Sequence, residues 1–192
     1  MIYAILGIAS AIIFLLGDIP YLRDTLTGKT KPHRVTWGIV SLLNGIGFAN
    51  QYASGAHNSL WLFGAGTVMT GLIFLASLRS GVGGGSRADI LCLIFGLAGV
   101  VLWVAFDSPW YSISANILAD FAALAPTFIK ARKHPETETK ISWLVGGFST
   151  LLATISVGKL DLQLLILPGL GVLLQAYMVY ILYIETRFAA KR

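Results

Sequence analysis

The sequence predicts an all-α membrane protein with seven transmembrane helices, arranged as two three-helix repeats joined by a linker helix. Three observations predict it: an apolar composition, seven long apolar runs, and basic residues gathered on one side of those runs. Hydrophobic residues make up 56% of the 192-residue chain and charged residues 12%, against about 25% charged in an average soluble domain. A bilayer core needs about 20 apolar residues per helix. Segments 1–22, 35–54, 59–78, 89–106, 110–131, 141–157 and 162–184 meet that length within a few residues.

The first segment has no Lys or Arg ahead of its apolar stretch and no small-residue cleavage site behind it, so it reads as a retained helix rather than a signal peptide. The stretch 79–88, Arg-Ser-Gly-Val-Gly-Gly-Gly-Ser-Arg-Ala, reads as a flexible glycine-rich linker. The domain boundaries that follow are a first three-helix unit at 1–80, the linker and fourth helix at 81–108, a second unit at 109–187, and a tail at 188–192.

Orientation follows from counting Lys and Arg at the segment ends. Arg23, Lys29, Lys31, Arg34, Arg79, Arg87, Lys130, Arg132, Lys133, Lys140, Arg187, Lys191 and Arg192 all fall on one side, thirteen of the fourteen basic residues. Only Lys159, beside Asp161, falls on the other. The expectation is an N-terminus outside and a C-terminus in the cytoplasm. Topology also explains the net charge of +5 better than nucleic acid does, because no basic face forms. The single cysteine, Cys92, has no disulfide partner within the chain and reads as a small buried hydrophobe.

The two outer units share marks at an offset of 106 residues. Pro20 matches Pro126, Arg34 matches Lys140, Val35 matches Ile141, Thr36 matches Ser142, and Trp37 matches Trp143. An odd number of helices per unit would invert the second one, and one extra crossing restores its direction. This three-plus-one-plus-three pattern resembles the PQ-loop superfamily, which includes the SWEET transporters. The resemblance covers nearly the whole chain in architecture. Pro20 and Pro126 fall where that family carries the proline of its Pro-Gln pair, although Tyr21 and Thr127 stand in place of the glutamine. It implies a carrier that alternates access between the units, with Pro20 and Pro126 as hinge or gate candidates.

Polar residues in spanning helices usually face the bundle interior, and ionisable ones are functional candidates. Ser112, Asn116, Asp120 and Thr127 form one stripe at helical spacing on the fifth segment. Asp120 is ten residues from Lys130, roughly 15 Å at 1.5 Å per residue, which places it near mid-depth. A carboxylate there must be neutral or paired, so Asp120 is the leading candidate for proton coupling. Asp18 is a second candidate, closer to the basic side, where it could cap or pair locally. Trp37, Ser41, Asn44 and Gln51 form a stripe on the second segment; Trp143, Gly147, Thr150 and Thr154 form one on the sixth. The expected solute-binding set is Trp37, Ser41, Asn44, Asn116, Trp143 and Thr150. Rings there would stack on apolar faces of a solute while amides fix its hydroxyls. Both tryptophans could instead be interfacial anchors.

No P-loop, G-x-S-x-G motif or metal-ligand spacing among His33, His57 and His134 is present, so neither enzyme chemistry nor a cofactor is expected. The expected function is transport of a small polar solute (a sugar, amino acid or vitamin-like molecule), with proton coupling left open. The competing expectation is a ligand or cargo receptor that uses the same bundle without moving its ligand. The expected partners are the solute and the lipid bilayer, with no nucleic acid. Self-association of the bundle is left open.

Overall fold

The computed structural model of the chain describes residues 1–84 and 109–185, with isolated positions between them. Six helices are present among the described residues: α1 (Ile2–Leu26), α2 (Arg34–Ala53), α3 (Leu60–Ser80), α4 (Pro109–Lys133), α5 (Lys140–Ser156) and α6 (Leu162–Tyr180). A short 3-10 turn, Pro135–Thr137, lies between α4 and α5, and a π-helical turn, Ile181–Glu185, extends α6.

This corrects the expected count of seven spanning helices. Among the described residues, four helical stretches are long and apolar enough to cross a membrane: Ile2–Leu26, Leu60–Ser80, Ile113–Lys133 and Leu162–Glu185. Two of the other expected spans fall short for physical reasons. In α2, Arg34, Asn44, Asn50 and Gln51 dilute the apolar content. In α5 the helix has only 17 residues, near the short limit for a bilayer core. Most of the expected span 89–106, including Asp89, Cys92 and Gly96, lies outside the described residues, as do Asp107, the side chain of Ser112 and the tail at 188–192.

Helix α1 is apolar on the outside and carries polar residues on its buried face. On α1, Ile5, Ile8, Ile12, Leu16 and Ile19 are exposed at steps of three and four, while Ser10, Phe14, Asp18, Tyr21 and Thr25 are buried. A water-soluble helix shows the reverse. Lipid is the medium in which an exposed isoleucine stripe of this length is stable.

The chain ends and turns are set by local chemistry. Gly55 after α2 and Gly158 after α5 take positive φ values of 75° and 70°, a region that glycine enters without steric cost. Asp161 caps α6 by accepting from the Gln163 backbone N–H at 3.1 Å. The hydrogen bond from Lys159, 3.1 Å away, holds the Asp161 carboxyl below its usual range. The start of the glycine-rich linker is pinned rather than free. Val82 donates to Pro32 O (2.8 Å), Arg34 N donates to Val82 O (2.9 Å), and the Arg34 guanidinium reaches Ser77 O and Gly83 O.

Helix α3 packs between α1 and α2, and α6 packs between α4 and α5, so both triplets have the same internal order. The triplets meet along α1 against α5 and α2 against α4. Two hydrogen bonds cross these seams at matching positions. The Thr36 hydroxyl of α2 donates to Ala123 O of α4 at 2.5 Å, and the Ser142 hydroxyl of α5 donates to Gly17 O of α1 at 2.7 Å. Each accepting carbonyl lies three residues before a proline inside its helix, Pro126 or Pro20. A proline lacks the N–H of its own turn and weakens the ladder there. The hydroxyl from the opposite triplet binds the carbonyl one residue after the one (Leu16 or Ala122) that the proline leaves without its ladder N–H.

Candidate solute site

Lys29, Lys31, Arg132 and Lys133 mark one end of the bundle, where α1, α3 and α4 finish and α2 and α5 begin. Between the triplets, toward this basic end, is a cavity of about 120 Å³. One water needs only about 10–15 Å³ by this measure, so the space holds a small solute. All six helices line it.

Six of the eight residues expected to bind solute or protons come together here: Asp18, Trp37, Asn44, Asp120, Trp143 and Thr150. Pairs at the 106-residue offset face each other in kind. Small residues on the third helix of each triplet make room for polar ones on the second. A Cβ on Gly66 would strike the Asn44 amide, and one on Gly171 would press on Thr150 at 3.3 Å. Asp18 is not a local cap near the surface. It is buried, lines the cavity, and has no hydrogen-bond or ion-pair partner among the described residues. Asp120 likewise lines the cavity without a side-chain partner among the described residues. No Lys, Arg or His lines it.

The other two residues lie elsewhere. Ser41 donates to Thr67 O at 3.2 Å in the α2–α3 contact. Asn116 is buried and reaches Leu43 O at 3.4 Å, tying α4 to α2. Both act as polar contacts between helices. The hinge candidates Pro20 and Pro126 sit within α1 and α4 at the two hydroxyl-bridged carbonyls.

The two tryptophans are buried rather than interfacial, at 6% and 7% exposure. With Tyr21 they close the basic end of the cavity. Ring centroids lie 4.8 Å apart for Tyr21–Trp37, 6.0 Å for Trp37–Trp143 and 6.3 Å for Tyr21–Trp143. Behind the rings, Glu138 gathers three donors. Its Oε2 accepts from the Tyr21 hydroxyl (2.9 Å) and from Trp143 Nε1 (3.0 Å), and its Oε1 pairs with Lys130. Lys130 also donates to Lys31 O at 2.6 Å, joining the loops of both triplets. At the far end the closure is neutral. Gln51 Nε2 donates to Leu164 O (3.0 Å) and Asn58 Nδ2 to Ser156 O (3.2 Å).

Sequence reasoning missed Tyr21, Glu138 and Gln175 as parts of this site. Gln175 of α6 lines the cavity, and its Oε1 is buried with no donor. Trp37 Nε1 is close enough to the Tyr21 hydroxyl to interact electrostatically, yet no acceptor meets hydrogen-bond geometry. The signal for Gln175 was available: a single amide in the middle of an apolar helix. Among the described residues no cluster of His, Cys, Asp and Glu could hold a metal ion. The chain matches no protein-family model, no curated protein and no solved structure.

Proposed function

We propose that the chain is a membrane carrier of the PQ-loop type, moving a small polar solute by alternating access between its two triplets. The observation that carries this reading is the cavity between the triplets, with two carboxyls that have no partner among the described residues and hydrogen-bonded contacts toward each end. A carrier needs a site near mid-depth at a repeat interface, with gates that can open in turn. The equal internal order of the triplets and the paired hydroxyl bonds at Pro20 and Pro126 support a rocking motion about those two points. The basic end faces the cytoplasm in this reading, because thirteen basic residues favour that side. The N-terminus is then outside and the C-terminus inside.

Two experiments test it. In intact cells expressing a chain without Cys92, a cysteine at Leu160, which is fully exposed, should react with an impermeant thiol reagent. A cysteine at Lys29 should react only after permeabilisation. Labelling of position 29 from outside overturns the orientation. Purified protein in liposomes should then exchange labelled for unlabelled solute across the bilayer. Saturable binding without exchange would make the bundle a receptor.

A further inference from the structure

We infer that the cavity selects a small organic ammonium ion bearing a hydroxyl group, an amino alcohol, through Asp18, Asp120, the Trp37–Trp143–Tyr21 ring cluster and Gln175. The inference rests on the carrier reading for its transport aspect, and on the cavity alone for its binding aspect.

Charge comes first. Two carboxyls enter one buried space, neither has a protein partner among the described residues, and no cationic side chain lines that space. A buried ionised carboxylate needs a counter-charge nearby, since desolvation of an isolated charge is prohibitive. Either a proton or a cationic solute can neutralise the carboxylate, and only the solute also fills the cavity. The rings point the same way. Tryptophan and tyrosine faces attract organic cations, most strongly where water is excluded, and here three such rings lie within 4.8–6.3 Å of one another. The Trp143 N–H is committed to Glu138, which leaves that ring to offer its faces.

Two unmatched polar atoms define the rest of the solute. Among the described residues, Gln175 Oε1 is an acceptor without a donor, and Trp37 Nε1 is a donor without an acceptor of proper geometry. An unpaired buried polar atom costs about 1–3 kcal/mol, so a ligand that meets both is favoured. An ammonium N–H satisfies the first and a hydroxyl oxygen the second. A sugar could donate hydroxyl hydrogen bonds to the carboxyls but would bring no counter-charge to them. A free amino acid would bring a carboxylate to a cavity that already holds two.

The test is calorimetric binding to the purified full chain, using ethanolamine, choline, ethylene glycol, glycine and glucose as probes. Ethanolamine should bind saturably, and choline, which brings the charge and the hydroxyl but no N–H for Gln175, should compete with it more weakly. Ethylene glycol, which lacks only the charge, should bind at least about tenfold more weakly, as loss of a charge-assisted contact implies. Asp18→Asn should weaken ethanolamine binding by a similar factor, whereas Glu136→Gln, at an exposed position, should not. If Asp18→Asn does not fold, Gln175→Leu reads the same site: weakened binding supports the inference, and unchanged affinity overturns it. Tighter binding of glucose or glycine than of ethanolamine also overturns it while leaving the carrier reading intact. Ethanolamine binding without flux in liposomes upholds the ammonium site and removes the carrier reading.

Discussion

Asp120→Asn should abolish accumulation of solute driven by a pH gradient in proteoliposomes, while solute-for-solute exchange continues at reduced affinity through Asp18. Asparagine reproduces the shape and hydrogen bonding of a neutral carboxyl but has no proton to release. The groups that share the cavity with Asp120 are Asp18 and Tyr21 of α1, and no Lys, Arg or His lines it. No described residue therefore holds Asp120 ionised by direct pairing. A proton and a cationic solute would each neutralise the same carboxyls, so the two should exchange rather than travel together. Uptake of ethanolamine driven by an outwardly directed proton gradient would be the wild-type behaviour. The coupling role is lost if wild-type flux ignores the gradient, or if Asp120→Asn accumulates solute as well as the wild type does.

Glu138→Ala should open the basic end of the bundle. One carboxylate accepts from Tyr21 and Trp143 and pairs with Lys130, and removing it strands three donors at once. Hydrogen bonds to charged groups contribute about 1.5–3 kcal/mol each. A reporter cysteine at Thr70, which lines the cavity, should then react with a thiol reagent at least about tenfold faster from that side, as one lost contact of about 1.4 kcal/mol would give. The chain for this measurement lacks Cys92. Glu138→Gln keeps an acceptor and should fall between the two. Equal labelling of Glu138→Ala and wild type would show that the rings alone seal this end.

Much of the site was legible because a helix repeats its face every three to four residues. Asn44 and Thr150 were found from spacing and from their shared offset, and Asp120 from its depth. What spacing cannot reveal is which neighbour a polar face meets. Ser41 and Asn116 lie on the same stripes, yet their partners are the Thr67 and Leu43 carbonyls of adjoining helices. Tyr21 was noticed only as a departure from the family's glutamine, and its neighbour across the interface, Glu138, is 117 residues away in sequence. Glu138 itself sits in a loop that reads as solvated until the fold turns its carboxylate inward. The helix count failed differently. Hydropathy measures a whole segment, so the polar lining that gives α2 its role in the cavity also lowers its average below that of a spanning helix.

The unequal make-up of the two closures has a consequence for how the protein rests. Three charge-assisted contacts at about 1.5–3 kcal/mol each hold the basic end, against two neutral bonds of about 0.5–1.5 kcal/mol each at the far end. The difference is roughly 1.5 kcal/mol at its smallest and several at its largest, so conformers open at the far end should outnumber the inverse by about tenfold or more. A ligand reaching the far side meets a site already accessible in most molecules. One arriving from the basic side must first draw on a minor population, and its apparent affinity falls by that fraction. The same pocket would therefore report two different half-saturation concentrations, one for each face of the membrane.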